Sequence, residues 1–447
     1  KIYLTDDNPR LENPESIRKQ TKKKIDKKKL KEIPSRAKAI FIAIKELNSG
    51  NILIVSGKGH ETYQEYVSRK SFSDKYEILK EINKKNQVLS NSIKTNILNE
   101  TFKDKILKKN ILIKFASLNS KKIKKNSIFI GVEGKKFNGN LFAKEAYKNG
   151  AILSISNRKF QNSKILFNKH PLRLFNSLSS IYRKSLDANN IAITGSAGKT
   201  SIKELTGFCL SKLSKTFISK KSYNNKFGVP LSIFNTPEKI NYVVLEVGMD
   251  KKGEIDNLTK IINPDLGLIT NISYAHIENF KNMNHIARAK GEIINNIIPG
   301  GTLVINKDDK YYNYFNNKAK KQKLNVISYS LKNKQANIFF ISEKKINNKY
   351  LINLKINNKN RSFYISRDLI SFKQNILATL SIISNYFDVE KLNKNLFLKF
   401  TIPKSRGSII MHKKASKKLN IIDESYNSNP LSLKFALEKF DNIFKDK

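Results

Sequence analysis

The 447-residue chain contains a single cysteine, Cys209, five histidines and no tryptophan. One cysteine excludes a disulfide framework and is typical of a protein from a reducing compartment. Because Cys209 lies among apolar residues, we expect it to be a buried structural thiol. No apolar run approaches the roughly 18 to 20 residues that cross a bilayer, and the first residues do not resemble a signal peptide. The sequence therefore predicts a cytoplasmic protein without membrane insertion.

Acidic residues are also scarce, with 37 Asp and Glu against 85 Lys and Arg and a formal net charge of +48. Such an excess can indicate a nucleic-acid partner. Here the basic residues are spread along the whole chain, without the interleaved aromatic residues of a single-strand binding groove. The excess is mostly lysine, accompanied by many Asn and Ile, as expected from an A/T-rich coding sequence. We therefore expect solvated basic surfaces that attract anionic substrates, and no specific nucleic-acid partner.

The length exceeds the roughly 100 to 200 residues of one domain, so we expect several domains. At the front, residues 1–85 have apolar runs at Ile2–Leu4 and 52–55 around a helix-like stretch at 37–47. This order predicts a strand, a helix and a strand. Residues 86–110 are polar and rich in Asn and Lys, and we interpret them as a linker.

Two further regions have patterns typical of α/β domains. Residues 111–186 contain short β-type runs at 127–132 and 151–156 around a helical stretch at 142–148, which predicts a small mixed α/β domain. In residues 187–402, apolar runs without alternation recur between helical stretches, which predicts a parallel sheet buried on both faces. These runs lie at 191–194, 242–247, 266–270 and 302–306.

Residues 403–447 begin another unit, with β-type runs at 409–412 and 420–423 and a helical stretch from Ser432. About 45 residues cannot easily enclose a doubly wound core, so we expect an incomplete domain. The chain also starts at Lys1 within domain-like sequence, and we expect it to be a fragment of a longer protein.

The segment IAITGSAGKTSIKEL joins an apolar strand to a glycine-rich turn and then to a helix, the arrangement that cradles phosphate groups. Gly195 and Gly198 let backbone N–H groups approach a phosphate, Lys199 supplies a positive charge, and the Thr200 hydroxyl can bind Mg²⁺. The predicted nucleotide-binding residues of this loop are Gly195, Ser196, Gly198, Lys199, Thr200 and Ser201.

This loop departs from the general P-loop spacing, since Ile193 stands where the first glycine is usual, and it matches T-G-x-x-G-K-T instead. The segment TGSAGKTS resembles that of the Mur ligase family, and further motifs follow in that family's order. They are YNNKFGVPLS at 223–232, LEVGMDKKGEIDNL at 245–258, ITNISYAHIENF at 269–280, ARAKGEI at 287–293 and INKDD at 305–309. The resulting prediction is a multidomain α/β fold, with a central P-loop parallel sheet flanked by Rossmann-like and small mixed α/β domains.

The resemblance implies a set of catalytic and metal-binding residues. Taken alone, Glu246 would be an ordinary strand-end carboxylate; in the family's pattern it binds Mg²⁺ together with Thr200, and His276 serves a second Mg²⁺. Lys290 stands where these ligases carry a lysine that CO₂ converts to a carbamate, an anion able to orient Mg²⁺. The predicted catalytic residues are therefore Lys199, Lys290 and His276, with ATP and Mg²⁺ as cofactors and a carbamylated lysine.

The same resemblance implies substrate contacts in the central region. Asn224 and Asn225 would lie beside the nucleotide-sugar substrate, and Asn306 would offer its amide to the adenine edge. Residues 115–151 are similar to the family's UDP-binding domain, although the usual D-S-R begins with Asn119 and the usual D-G-H begins with Asn138.

The last region also carries family motifs, PKSRGS at 403–408 and IIDESYNSNP at 421–430. By resemblance, Arg406 would reach an ATP phosphate and Asp423 would approach the ribose. Ser405 replaces the usual glycine of the first motif, which changes the expected backbone turn.

The front of the chain resembles a different part of the family. LTDDNPRLENPESI, SRAKAI and VSGKGHETYQ are similar to the end of a ligase that adds meso-diaminopimelate. There Asn8 and Arg10 would grip the carboxylate of the incoming amino acid, a task that suits a planar guanidinium, with Gly57 and Glu61 beside them. We interpret the chain as the tail of one ligase followed by another, and we hypothesise that residues 1–85 and 403–447 pack as one composite domain.

The activity implied by the resemblance is ATP-dependent amide formation. ATP would phosphorylate the carboxylate of UDP-N-acetylmuramoyl tripeptide, and the amine of D-alanyl-D-alanine would attack the acyl phosphate, in a monomer. Three alternatives stay open: a folylpolyglutamate-type ligase, an inactive fragment of a ligase fusion, and a basic P-loop protein that binds nucleic acid.

Overall fold

The computed structural model describes most of the chain, and its strands form one nine-stranded sheet, one four-stranded sheet and three two-stranded sheets. These sheets correspond to successive units of the sequence. The described residues are 1–26, 28–47, 51–88, 92–102, 111–134, 137–162, 164–274, 277–414, 417–426, 433–438 and 440.

The front unit packs helices against a short parallel pair of strands, with a separate hairpin beside them. Its first helix begins after Asn13, whose side chain accepts hydrogen bonds from two backbone N–H groups of the first turn, and Ser35 caps the second helix in the same manner. The elements are β1 (Ile2–Leu4), α1 (Pro14–Thr21), β2 (Leu30–Glu32), α2 (Arg36–Glu46), β3 (Tyr63–Glu65), β4 (Arg69–Ser71) and α3 (Asp74–Val88).

The predictions for this unit are partly confirmed. The strand at Ile2–Leu4 and the helix at 37–47 are present. The strand predicted at 52–55 is wrong: this segment belongs to none of the described strands, and Ile52 and Ile54 are 87% and 84% exposed. An apolar run becomes a strand only where a neighbour pairs with its backbone, and β1 pairs instead with the polar segment LKE of β2.

The predicted linker contains a helix, α4 (Ile93–Thr101), which Ser92 caps by accepting from the backbone N–H of Thr95. Ile97 and Leu98 are buried in the core of the following unit. The interpretation of 86–110 as a linker is therefore wrong for the described residues 92–102. An Asn- and Lys-rich composition concealed the short apolar face of this helix.

The second unit is a four-stranded parallel sheet in the order β5-β6-β7-β8. The strands predicted within 127–132 and 151–156 and the helix near 142–148 are confirmed. The elements are β5 (Phe115–Ser117), β6 (Ser127–Ile130), α5 (Ala143–Lys148), β7 (Leu153–Ser156), β8 (Ile165–Phe167) and α6 (Pro171–Lys184).

The central unit is built on the nine-stranded sheet, whose predicted runs near 191, 242, 266 and 302 are all strands. The strands are β9 (Asn189–Thr194), β10 (Thr216–Ile218), β11 (Tyr242–Glu246), β12 (Leu266–Ile269), β13 (Thr302–Asn306), β14 (Asn325–Ser330), β15 (Ile338–Ile346), β16 (Lys349–Ile356) and β17 (Lys359–Ser366). The helices are α7 (Lys199–Leu213), α8 (Gly228–Phe234), α9 (Glu254–Ile262), α10 (Met283–Lys290), α11 (Tyr312–Lys321) and α12 (Lys373–Ser384).

The order of this sheet is β10-β11-β9-β12-β13-β14-β15-β16-β17. Pairing is parallel from β10 to β15 and antiparallel in the last two pairs. The antiparallel end was not predicted, although β16 and β17 alternate buried apolar residues such as Ile352, Leu354 and Phe363 with more accessible polar ones. Strand β9 lies between β11 and β12, at the point where the chain changes direction across the sheet, which is where ligands bind in open α/β sheets. Cys209 of α7 is buried in the core, as predicted.

The last unit begins with an antiparallel hairpin of β18 (Ser408–Lys414) and β19 (Lys417–Asp423). The predicted strands at 409–412 and 420–423 are confirmed. Residues 433–438 are helical, and Ser432 lies outside the described residues.

The front unit docks on the amino edge of the central sheet. Lys38 of α2 donates to Asp265 (2.6 Å), which precedes β12, and to the Asn189 side chain (3.1 Å) at the start of β9. In contrast, Arg406 and Tyr426 contact Ser222, which follows the carboxyl end of β10. The front and last units therefore contact opposite edges of the sheet, and the hypothesis of a composite domain is wrong.

No α-helix among these described ranges is both long and apolar enough to cross a membrane.

Candidate active site

The predicted phosphate loop lies at the carboxyl end of β9. The strand is buried up to Thr194, and the chain then turns through Gly195 (φ +143°) and Gly198 (φ +81°) before α7 begins at Lys199. Both glycines adopt left-handed backbone conformations that other residues rarely tolerate. The turn thus directs the first N–H groups of α7 to the site where an anion would bind.

Gly195 is required by close packing as well as by its φ. A Cβ atom at this position would lie 1.9 Å from the Thr270 hydroxyl oxygen. We expect Gly195→Ala to destabilise the fold by about 2–4 kcal/mol, because the overlap adds to the backbone strain, and to abolish nucleotide binding. Thermal unfolding and titration with ADP measure both effects.

The matched control for that substitution is Gly253→Ala. Gly253 has a similar left-handed φ of +87°, but no heavy atom lies within 4 Å of a Cβ built there. We expect it to cost about 1 kcal/mol, the strain of the backbone alone. Equal effects of the two substitutions would contradict the packing argument.

The segment after β12 holds the phosphate loop in place. The Thr270 hydroxyl donates to the Ala197 carbonyl (2.6 Å), and the Asn271 side chain accepts from the Ala197 N–H (3.0 Å). Ser196 Oγ donates to the Ser273 carbonyl and accepts from its N–H. Sequence reasoning missed these contacts, although the Thr-Asn pair directly after a buried strand was a visible signal.

Lys199 folds back over the loop that precedes it. Its Nζ donates to the carbonyls of Gly195 (2.8 Å) and Ser196 (3.3 Å). Burial lowers the pKa of Lys199, and the positive charge of Arg406 lowers it further, whereas the charge of Glu246 opposes the shift. A cation confined by carbonyl oxygens at this position is suited to meet a phosphate.

Glu246 and Thr200 meet where the resemblance predicts a metal site. Thr200 Oγ1 donates to Glu246 Oε2 (2.5 Å) and Asn224 Nδ2 to Glu246 Oε1 (2.7 Å). The Glu246 residue is 2% exposed, and no Lys or Arg of the described chain lies within ion-pair distance of it. Adjacent hydroxyl and carboxylate oxygens are ligands that Mg²⁺ prefers, so these residues fit the ion.

Lys290 lies at the end of α10 and is 1% exposed. Burial lowers its pKa well below the ordinary value, and the nearby charge of Lys199 adds to the effect. The structure thus brings Lys290 close to the phosphate loop with an amine that favours the neutral form. His276 lies outside the described residues, and within those residues no group of three or more His, Cys, Asp or Glu side chains could hold a metal.

A cavity of about 400 Å³ opens beside the phosphate loop, a volume typical of small-molecule sites. Gly198, Ser201 and Asn271 line it from the central unit, and Arg406 and Tyr426 line it from the last unit. The predicted residues Ser201 and Arg406 therefore line one cavity, to which both units contribute.

Arg406 and Asp423 are held by their own neighbours. The Arg406 guanidinium stacks on the Tyr426 ring, 4.0 Å from its centroid, and donates to Ser222 Oγ (3.3 Å). Asp423 accepts from the Ser425 hydroxyl and N–H and from the Ser405 hydroxyl, and these bonds lower its pKa. Asp423 thus shapes the turn that carries Tyr426.

Two predicted asparagines make local contacts. Asn225 Oδ1 accepts from the N–H groups of Phe227 and Gly228, at the start of α8. Asn306 is buried at the end of β13, and its Oδ1 accepts from the Asp308 N–H (3.0 Å). Neither contact points to a ligand by itself.

The front residues form a separate polar cluster. Lys58 Nζ donates to Asn8 Oδ1 (2.9 Å) and to Glu61 (3.0 Å), and Asn8 Nδ2 donates to Glu61 (2.7 Å). The hydrogen bonds from Lys58 and Asn8 lower the pKa of Glu61, and the positive charge of Arg10 lowers it further. Arg10 itself is exposed and has a left-handed φ of +51°. The front unit docks at the start of β9, and the phosphate loop follows the other end of this strand. At roughly 3.3 Å per strand residue, the two ends are at least about 17 Å apart. The structure therefore does not bring this cluster to Lys199.

Known proteins share this architecture. Residues 193–380 match the Mur ligase middle domain. The chain is 30% identical over 341 residues to the UDP-N-acetylmuramoyl-tripeptide--D-alanyl-D-alanine ligase of Buchnera aphidicola subsp. Baizongia pistaciae (strain Bp), covering 74% of this chain and 72% of that protein. Among solved structures, MurF from Acinetobacter baumannii has a TM-score of 0.67 at 25% identity, with 77% and 75% of the two chains covered. MurF ligase from Thermotoga maritima, in complex with ADP, shares the fold at 23% identity with a TM-score of 0.65, over 74% and 75%. The motifs, the fold and these likenesses lead to one conclusion: the chain belongs to the Mur ligase family.

Proposed function

We propose that this chain is an ATP-dependent amide ligase that joins D-alanyl-D-alanine to UDP-N-acetylmuramoyl tripeptide in peptidoglycan precursor synthesis. The observation that carries the proposal is the phosphate loop under Lys199, with the contact between Thr200 and Glu246 at its helix and a cavity beside it that Arg406 lines. The name of the Buchnera relative supports the choice of substrates, and the Thermotoga protein of the same fold was solved with ADP.

The chemistry demands charge neutralisation, because a carboxylate must approach the anionic triphosphate of ATP. Lys199 would contact the transferred phosphoryl group and stabilise the charge that develops on its oxygens. The N–H groups at the start of α7 would bind the neighbouring phosphates, and Arg406 would approach the phosphates from the last unit. The carboxylate oxygen would attack the terminal phosphorus of ATP and release ADP, which leaves an acyl phosphate. The amine of D-alanyl-D-alanine would then attack the acyl carbon, lose a proton and expel phosphate to form the amide.

Thr200 and Glu246 are the proposed Mg²⁺ ligands, with His276 and a carbamylated Lys290 serving a second ion. When bound, Mg²⁺ would neutralise phosphate charge during transfer. The buried Lys290 amine supports the carbamate proposal, since the neutral amine is the form that adds to CO₂. The environment of Lys290 therefore favours the modification chemically.

The remaining predicted residues belong to substrate recognition. We propose that the unit ending at α6 binds the UDP portion and that Asn224 and Asn225 lie near the nucleotide sugar. Asn306 would recognise adenine, and Asp423 would approach the ribose through the turn that it stabilises. The chain would act as a monomer in the cytoplasm.

The front cluster of Asn8, Arg10 and Glu61 is proposed to bind the carboxylate end of an amino acid. The exposed Arg10 guanidinium beside polar partners supports this role. Its position at the amino edge of the sheet means that it would not serve the reaction at Lys199.

The test is phosphate release from ATP with UDP-N-acetylmuramoyl tripeptide, with and without D-alanyl-D-alanine. We expect release that depends on both substrates, together with formation of the pentapeptide product detected by mass spectrometry. Binding of ADP without any substrate-dependent release would overturn the proposed activity. Salt-dependent oligonucleotide binding in its place would favour a nucleic-acid function.

A further inference from the structure

Lys203 is a fully buried lysine on α7, one turn beyond the phosphate loop. Its Nζ donates to the carbonyls of Ser219 (2.7 Å) and Lys221 (2.6 Å) and pairs with Glu204 (2.9 Å). Burying an ammonium group is costly unless all of its three donors are used. Here each donor has an acceptor, and two of the acceptors belong to the segment that follows β10.

That segment, residues 219–225, is tightly positioned, and we name it the 219–225 loop. Lys221 has a left-handed φ of +47°, a conformation that costs a lysine energy. A Cβ atom on Gly228 would lie 2.5 Å from the Tyr223 Cα, and one on Gly248 would lie 3.0 Å from the Asn224 side chain. The loop is therefore confined by neighbouring backbone on one side and by Lys203 on the other.

The 219–225 loop carries two contacts of the candidate active site. Asn224 donates to Glu246 (2.7 Å), the proposed metal ligand. The Ser222 hydroxyl contacts the Tyr426 hydroxyl (2.6 Å) and accepts from Arg406 (3.3 Å). The loop thus joins the phosphate-loop helix to the unit that closes the cavity.

We propose that Lys203 is a positioning residue, which sets the 219–225 loop so that Ser222 engages the last unit and Asn224 orients Glu246. The proposal rests on the proposed ligase function for its kinetic effect, but not for its structural effect. Lys203 itself does not contact the cavity; it acts through the two carbonyl groups that it holds. Loss of these bonds would displace the loop while leaving the phosphate loop intact.

Lys203→Met tests the proposal, and Lys212→Met is a matched control. Lys212 lies on the same helix and also donates to two backbone carbonyls, those of Leu396 (2.7 Å) and Leu398 (3.0 Å), away from the loop. In hydrogen–deuterium exchange on the ligand-free chain, residues 219–228 should exchange at least about tenfold faster in Lys203→Met than in the wild type, because their local opening becomes easier. Lys212→Met should leave this segment unchanged.

The kinetic measurement separates positioning from general structural damage. For Lys203→Met we expect kcat for dipeptide-dependent phosphate release to fall about 10- to 100-fold, because small misplacements of reacting groups lower rates by factors of this size. The Kd for ADP should change less than about threefold, since the phosphate loop keeps its contacts. In a Ser222→Ala background, Lys203→Met should lower kcat by a smaller factor. The contact of Ser222 with the last unit is then already lost, and only the orientation of Glu246 by Asn224 can still be disturbed.

Unchanged exchange over 219–228 in Lys203→Met would overturn the proposal, as would equal kinetic losses in Lys203→Met and Lys212→Met. A wild-type chain without dipeptide-dependent turnover would refute the ligase function alone. In that case the exchange comparison still decides whether Lys203 positions the loop.

Discussion

Replacing Lys199 with methionine should lower dipeptide-dependent phosphate release by about a hundredfold to a thousandfold, the usual effect of removing one preorganised group that stabilises transition-state charge. Lys199 is the cation that folds over the phosphate loop at the end of β9. Methionine keeps an unbranched side chain that is one heavy atom shorter, and it removes the charge and its donors. Steady-state phosphate release at saturating ATP measures the effect.

The control for this prediction is Lys344→Met, which removes an exposed lysine of β15. It alters the net charge of the chain equally but should keep turnover within about twofold, because isolated surface charges contribute little. If Lys199→Met retained more than a tenth of the wild-type kcat, Lys199 would not contact the transferred phosphoryl group, and its role in the proposed mechanism would be refuted.

Lys290→Met should abolish turnover and yet raise the stability of the fold. Burial lowers the pKa of Lys290 in the folded chain. At any pH between this lowered pKa and about 10.4, the pKa of an unperturbed lysine, the unfolded chain therefore binds one proton more than the folded chain. The lysine therefore costs stability, increasingly as pH falls through this window, and the full cost is present below it. Methionine fills a similar volume without the amine.

The measurement is thermal unfolding of both chains in buffer freed of bicarbonate. At pH 7 we expect the unfolding temperature of Lys290→Met to be higher than that of the wild type, by about 2–4 °C for each kcal/mol gained in the free energy of unfolding. This difference in unfolding temperature should disappear above pH ~10.4. Turnover of the wild type, but not of the variant, should increase when bicarbonate is added. A variant that is less stable at pH 7 would show that the buried amine is stabilised by a charged partner.

Local sequence predicted the central strands well, because their apolar runs needed no knowledge of distant residues. The run at 302–306 is a strand with those bounds, and the turn at Gly195 and Gly198 follows β9 as expected. The predictions were wrong where pairing with another segment decides whether a strand forms. The segment 52–55 is as apolar as β13 but belongs to none of the strands that the structure describes, whereas the polar LKE of β2 pairs with β1.

The candidate site shows the same division. Lys199 and Thr200 were predicted from a strand, a glycine turn and a helix N-terminus that are continuous in sequence. Glu246 was predicted only from the resemblance to the Mur ligase family. Thr270 and Asn271 were missed as supports of the phosphate loop, because their role depends on β12 pairing beside β9.

The amino acids alone thus predicted the turn and helix of the phosphate loop and the class of fold, because both arise from short-range patterns of glycine, charge and apolar runs. Only the tertiary structure decided which groups meet across the sheet. It joined Ser222 to Tyr426 and Arg406, and it placed Lys38 and the front unit at the opposite, amino edge. The physical reason is that parallel strands bring their carboxyl ends to one edge whatever their separation in sequence, and which segments dock at each edge depends on long-range packing.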